Sequence, residues 1–129
     1  MTQVLRGNIV HAPEMGRLDI LEHGCLVLED GVITGLYRQL PEELANAEVR
    51  DFGDRILMQS FADMHLHAPQ YPMLGMGMDL PLLDWLNTYT FPTESRFADV
   101  DYARRVYRRL ATDLITNGTT RVCMFSSMH

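Results

Sequence analysis

The sequence predicts an α/β chain in which a small N-terminal β-sheet precedes the first strand, helix and strand of a parallel sheet. The first third alternates short apolar runs with turn residues, as small sheets do. An apolar run begins at residue 56, and an amphipathic helical pattern follows after residue 99. β-branched and apolar residues then complete a βαβ unit, whose two strands are parallel.

The small sheet is expected in residues 1–54. Its strands are predicted at residues 4–10, 25–28, 32–37 and 49–52. Asp30 and Gly31 are typical of a two-residue turn in which both residues have positive φ, so the second and third strands should form a hairpin. Residues 41–44 (PEEL) predict a short helix with proline at its first position. The apolar residues are too few to cover both faces of this sheet.

The parallel sheet is expected in residues 55–129. Residues 56–67 (ILMQSFADMHLH) are mostly apolar and predict one buried strand. After a loop rich in Gly, Met and Pro, residues 80–86 (LPLLDWL) predict a short helix, and residues 91–94 (FPTE) predict a break.

The longest predicted helix begins after Asp99, a residue suited to the N-cap position. Its apolar residues recur every three or four positions, and the arginines between them should face solvent. Asn117 and Gly118 predict a left-handed stop, and residues 119–125 (TTRVCMF) predict the next strand.

Charge and hydropathy exclude several classes of function. The chain has 17 acidic and 11 basic residues, a formal net charge of -6, so neither nucleic acid nor an anionic membrane surface is an expected partner. No stretch approaches the ~20 apolar residues of a membrane span, and the first residues have no signal-peptide core. We therefore expect a cytoplasmic protein. Cys25 and Cys123 lack the spacing of a redox or zinc motif and are expected to be free thiols.

Asp63, His65 and His67 occupy alternate positions of the predicted strand, so their side chains share one face. In a (β/α)₈ barrel the chemistry collects at the C-terminal ends of the strands, where this trio would lie. Two neutral imidazoles can bind one metal ion, and each then needs a hydrogen-bond partner for its other nitrogen, a role open to Asp63. The alternative is a pair of hydrogen-bonded core histidines.

Four segments carry a resemblance to a known family. They are residues 65–71 (HLHAPQY), 78–86 (MDLPLLDWL), 89–92 (YTFP) and 117–120 (NGTT). From about residue 56 onward the chain is similar to the guanine deaminase branch of the amidohydrolase superfamily. The whole superfamily shares His-x-His, whereas the first two segments together occur in a much narrower group of proteins. Gln59 and Ser60 stand where the family usually has Pro-Gly, which changes the entry turn and not the metal ligands.

The resemblance implies a fold and an activity. Residues 55–129 would be the first units of a (β/α)₈ amidohydrolase barrel, and residues 1–54 part of a small β-sandwich. The barrel is incomplete in this chain, because ~250 residues are typical. The implied activity is zinc-dependent hydrolysis of guanine to xanthine and ammonia, with Zn²⁺ bound by His65 and His67. The other ligands and the proton-transferring carboxylate would lie on later strands, so this chain is expected to be inactive without the rest of the barrel. A homodimer is expected for the full-length form.

The resemblance also implies base-binding residues. Gln70 corresponds to a glutamine that contacts the purine, and its planar amide offers both an acceptor and donors; from position alone it could be an exposed loop residue. His67, Ala68 and Pro69 are expected beside it. Leu83 and Trp85 are candidates for the walls of an apolar slot. A helix of this composition is, however, commonly plain core.

Two other functions are compatible with the residues. A different amidohydrolase, acting on another purine, a pyrimidine or a triazine, would share His-x-His, although Gln70 and the segment around Trp85 argue against it. A non-catalytic subunit that retains the first barrel unit would fold as a metal-free monomer. The His-x-Glu and Pro-Cys-x-x-Cys motifs of the other zinc deaminases are absent.

Overall fold

The structure, a computed structural model, describes residues 1–129 and divides into two compact units, Met1–Gln59 and Ser60–His129. The boundary therefore follows residue 59, whereas the sequence placed it after residue 54. The intervening residues extend the last strand of the first unit.

The first unit is one four-stranded sheet. Its strands are β1 (Thr2–Glu14), β2 (Arg17–Glu29), β3 (Val32–Tyr37) and β4 (Glu48–Met58). Their order is β3-β2-β1-β4, with β1 antiparallel to β2 and parallel to β4. All four strands hydrogen-bond side by side in a single sheet, and the expectation that this sheet is part of a small β-sandwich stays a prediction.

The turn predicted at Asp30 and Gly31 is confirmed. Both residues have positive φ, 49° and 83°, and the hairpin pairs Glu29 with Val32. The ribbon of β1 and β2 is longer than predicted, because cross-strand hydrogen bonds extend it through charged residues that have low strand propensity.

One face of this sheet has a compact core. Val4, Cys25 and Val27 are buried there, and the segment after β3 packs Leu40 and Leu44 against them. That segment contains the predicted short helix, a 3₁₀ turn at Glu42–Leu44 in which Pro41 is the cap and not the first helical residue. The other face carries an apolar hollow of about 200 Å³. Its lining includes Leu5, Ile9, Leu26, Leu36 and Leu57.

The second unit contains the predicted βαβ unit. Strands β5 (Phe61–His67) and β6 (Thr119–Phe125) are parallel neighbours. The single strand predicted over residues 56–67 is wrong, because Gln59 and Ser60 interrupt it and its two halves pair in different sheets.

Three helical segments lie between these strands. A 3₁₀ helix, Ala68–Met73, directly follows β5. The second segment consists of α1 (Leu82–Trp85), a π-helical stretch (Leu86–Thr90), α2 (Phe91–Ser95) and a 3₁₀ turn (Arg96–Ala98). The break predicted at residues 91–94 is therefore wrong. Pro92 lies in the first turn of α2, where its missing N–H is tolerated, and the wider π turn precedes it.

The third segment is α3, Val100–Thr116. Its predicted cap is confirmed, since the Asp99 carboxylate accepts backbone N–H bonds from Asp101 and Tyr102 at 2.9 and 3.2 Å. The predicted stop is also confirmed, with Gly118 at φ 83°. None of the helices combines the length and hydropathy needed to cross a bilayer.

Candidate functional site

His65 and His67 lie side by side on β5. Their Nε2 atoms are 3.2 Å apart, and their ring centroids are 4.9 Å apart with the planes inclined by 70°. Both side chains are exposed. Although the distance also allows an N–H···N hydrogen bond, the exposure argues against the alternative of a buried core pair.

The separation of the two nitrogens suits one tetrahedral zinc ion. With Zn–N bonds of ~2.0–2.1 Å and a tetrahedral angle, two ligand nitrogens lie about 3.3–3.4 Å apart. The observed 3.2 Å is close to that value. The chain brings no group of three or more His, Cys, Asp or Glu side chains together in an arrangement suited to a metal. Two imidazoles are enough for half of a tetrahedral ligand set.

Asp63 and Phe125 surround the pair differently from expectation. The Asp63 carboxylate accepts the backbone N–H of His65 at 3.0 Å, so it braces the strand and makes no bond to an imidazole. The Phe125 ring stacks on His67, with centroids 5.0 Å apart and planes 17° apart, and lies 5.2 Å from His65. Sequence reasoning missed Phe125. The parallel register of β5 and β6, which pairs Phe125 with His67, is the signal that could have identified it.

The 3₁₀ helix after β5 carries the other predicted binding residues. Ala68 and Pro69 are buried, so their side chains pack inside the unit. Gln70 is partly buried, and its Nε2 donates to Oε1 of Glu94 at 3.5 Å. Glu94 was also missed, because a partner 24 residues away leaves no spacing signal.

The apolar slot expected between Leu83 and Trp85 stays a prediction. Leu83 is 70% exposed on α1. Trp85 donates its indole N–H to the carbonyl of Met76 at 2.9 Å. It also lines a depression, and the lining of that depression includes Leu82 but not Leu83. A separate cavity of about 170 Å³ lies beside Glu94. Its lining is Phe91, Glu94, Ser95, Ser127, Met128 and His129.

A polar contact ties the 3₁₀ helix to α3. The Tyr71 hydroxyl donates to the Asp113 carboxylate, which also accepts from Nε of Arg109 at 3.2 Å. The Tyr71 hydrogen bond, followed by the Arg109 guanidinium, lowers the pKa of Asp113. Tyr71 adjoins Gln70 in sequence, so this contact anchors the segment that carries the predicted base-binding amide.

Comparison with known proteins gives relatives for the whole chain. No family model matches the sequence. A guanine deaminase of Dictyostelium discoideum is 35% identical over an alignment of 144 residues, which covers 98% of this chain and 32% of that protein. A guanine deaminase of Rattus norvegicus is 39% identical over 135 residues, covering 98% of this chain and 30% of that protein.

A solved structure gives the same result. The crystal structure of a guanine deaminase from C. acetobutylicum, with guanine bound in its active site, matches this chain with a TM-score of 0.95 and 40% identity. The match covers 100% of this chain and 31% of that one. The chain thus spans about a third of the length of the relatives that it matches.

Proposed function

Because the chain is homologous along its whole length to guanine deaminases, matching the N-terminal portion of those longer proteins, we propose that it forms part of an enzyme that hydrolyses guanine to xanthine and ammonia. One observation carries the proposal. All of this chain superposes, with a TM-score of 0.95, on a guanine deaminase that has guanine in its active site. The fold alone would not identify the substrate, but 40% identity accompanies it.

The proposed metal is zinc, bound through the Nε2 atoms of His65 and His67. Their 3.2 Å separation supports this assignment. The chemistry that zinc supplies when bound is Lewis acidity, which makes hydroxide available near neutral pH. β5 sets the spacing of the two imidazoles, and the Phe125 ring stacks on His67. The remaining ligands and the group that transfers the proton to the leaving amine are expected outside this chain.

Gln70 is the proposed base-binding residue. Its position three residues after His67 places a planar amide next to the end of β5. Ala68 and Pro69, which are both buried, are proposed beside it in the wall of the site. Leu83 and Trp85 stay the proposed contacts for the flat faces of the base, although Leu83 is exposed and only Trp85 lines the depression near Leu82.

We interpret the second unit as the first part of a (β/α)₈ barrel. The parallel strands β5 and β6, joined through α3, have the required topology, and the histidines lie at the C-terminal end of β5. Between α3 and β6 lies an apolar cavity of about 530 Å³, a space that a further barrel element would be expected to fill. The homodimer and the cytoplasmic location implied by the resemblance stay predictions.

The test uses the complete protein that contains this chain. Ammonia release is measured with guanine, adenine, cytosine and a triazine as substrates, before and after chelation and with zinc restored. Guanine should be preferred, and its turnover should disappear with the metal and return with it. Preference for another base would favour the different amidohydrolase, and turnover that survives complete metal removal would contradict the zinc assignment.

A further inference from the structure

Glu94 contacts Gln70 from a separate helix. Gln70 Nε2 donates to Glu94 Oε1 at 3.5 Å, and both side chains are partly buried. Glu94 belongs to α2, directly after the π-helical stretch Leu86–Thr90. π-Helical turns inside helices occur frequently at functional sites. The backbone around both residues is thus well defined by secondary structure.

The chemistry of this pair is directional. An ionised carboxylate only accepts hydrogen bonds, whereas the glutamine amide has an NH₂ donor at one end and an oxygen acceptor at the other. The carboxylate therefore selects one of the two amide orientations. The NH₂ group turns toward Glu94, and the oxygen stays available to another partner.

We propose that Glu94 is a positioning residue that fixes the Gln70 amide so that its oxygen is presented to a purine edge rich in N–H donors. This inference deepens the proposed function and rests on it. Guanine carries an N–H at ring position 1 beside its exocyclic amine, whereas adenine has an acceptor nitrogen at that ring position. An amide oxygen fixed at residue 70 favours guanine over adenine. An amide that turns freely could form a hydrogen bond with either base.

A small cavity lies on the Glu94 side of the pair, and Gln70 is not part of its lining. Glu94 borders the cavity of about 170 Å³, and the exposed ring of Phe91 forms part of the same wall. The partly buried setting of the pair also matters, because a hydrogen bond shielded from water orients a side chain more strongly than an exposed one does.

The first test is kinetic and uses Glu94→Gln in the complete protein. A glutamine at this position both donates and accepts, so it no longer selects one orientation of Gln70. KM for guanine should rise about three- to ten-fold, the effect of one hydrogen bond, while kcat changes less. The inhibition constant of adenine, divided by KM for guanine, should fall. Asp84→Asn removes an exposed carboxylate from α1 and should behave as wild type.

The second test does not depend on catalysis. In ¹⁵N-labelled protein, the Gln70 side-chain amide resonances should move in Glu94→Gln and stay in place in Asp84→Asn. Unmoved resonances, or an unchanged KM and adenine ratio in an enzyme that turns over guanine, would overturn the role of Glu94 and leave the proposed function intact. A wild-type enzyme that does not turn over guanine would overturn the proposed function and this inference with it.

Discussion

The two units bury their strands in different ways. In the first, four strands share one sheet, and Val4 and Val27 are buried beneath a segment of the same unit. In the second, β5 and β6 have only each other as neighbours, and Met64 and Phe125 remain 73% and 50% exposed. The buried residues of the second unit lie instead in its helical segments. The predicted chemistry thus belongs to the unit whose sheet is less complete.

This difference shows which properties a chain can specify locally. The hairpins of the first unit pair strands that follow each other in sequence, and β1 also pairs with the more distant β4, so every strand of this unit has its partners within the unit. A parallel sheet needs crossovers and coverage on both faces. The His65 and His67 pair is therefore already formed on one strand, whereas the walls of a binding site require further strands.

The largest expected effect concerns the metal. Replacing both His65 and His67 by Ala should abolish zinc binding to this chain, because no other cluster of ligands is available. Wild type should bind zinc with modest affinity, since two imidazoles leave half of a tetrahedral site to water. Titration calorimetry measures both, with His11→Ala on β1 as the control. An unchanged zinc isotherm in the double variant would refute the assignment.

The next effect concerns the exposed sheet. At this chain length the second unit should associate through its apolar strands, because an uncovered parallel sheet offers free edges and faces. Met64→Lys on β5 should reduce the association seen by light scattering. Met15→Lys, at an exposed turn of the first unit, should not. A wild-type chain that stays monomeric over a wide concentration range would contradict the view that the sheet of the second unit is less complete than that of the first.

The smallest effect concerns the contact that anchors the 3₁₀ helix to α3. Since Tyr71 and Arg109 lower the pKa of Asp113, ionised Asp113 stabilises the fold above its unfolded pKa of about 4, and this contribution is lost as the pH falls through the lower folded pKa. Asp113→Asn should slightly lower the melting temperature at pH 7, and the difference should be smaller at a pH well below 4. The same difference at both pH values would indicate a lost packing contact and not a charge effect.

Local signals predicted much of the fold. Asp99 as a cap, Gly118 as a stop and Asp30-Gly31 as a turn each depend on the chemistry of one or two residues, and all three are confirmed. Local signals did not predict the strand boundaries that depend on which other strand a segment pairs with. The run 56–67 reads as one strand, but β1 pairs with its first part and β6 with its second.

The same limit applies to the candidate site. The spacing of His65 and His67 requires only a strand, so the sequence was sufficient to place them together. Phe125 and Glu94 reach the site through the β6 register and the continuation of helix past Pro92, and neither has a local signature. The apolar character of Leu83 makes it a candidate wall of the site, and this role stays a prediction because the side chain is exposed in this chain.

The most direct test of the account is the effect of Gln70→Ala in the complete protein. The loss of one hydrogen bond, together with stranded polar groups on a buried base, should lower kcat/KM for guanine about ten- to several-hundred-fold. Zinc content in the same preparation should not change, because Gln70 is not a proposed ligand. Steady-state kinetics beside elemental analysis measures both. Wild-type kinetics in the variant would contradict the proposal that Gln70 binds the base.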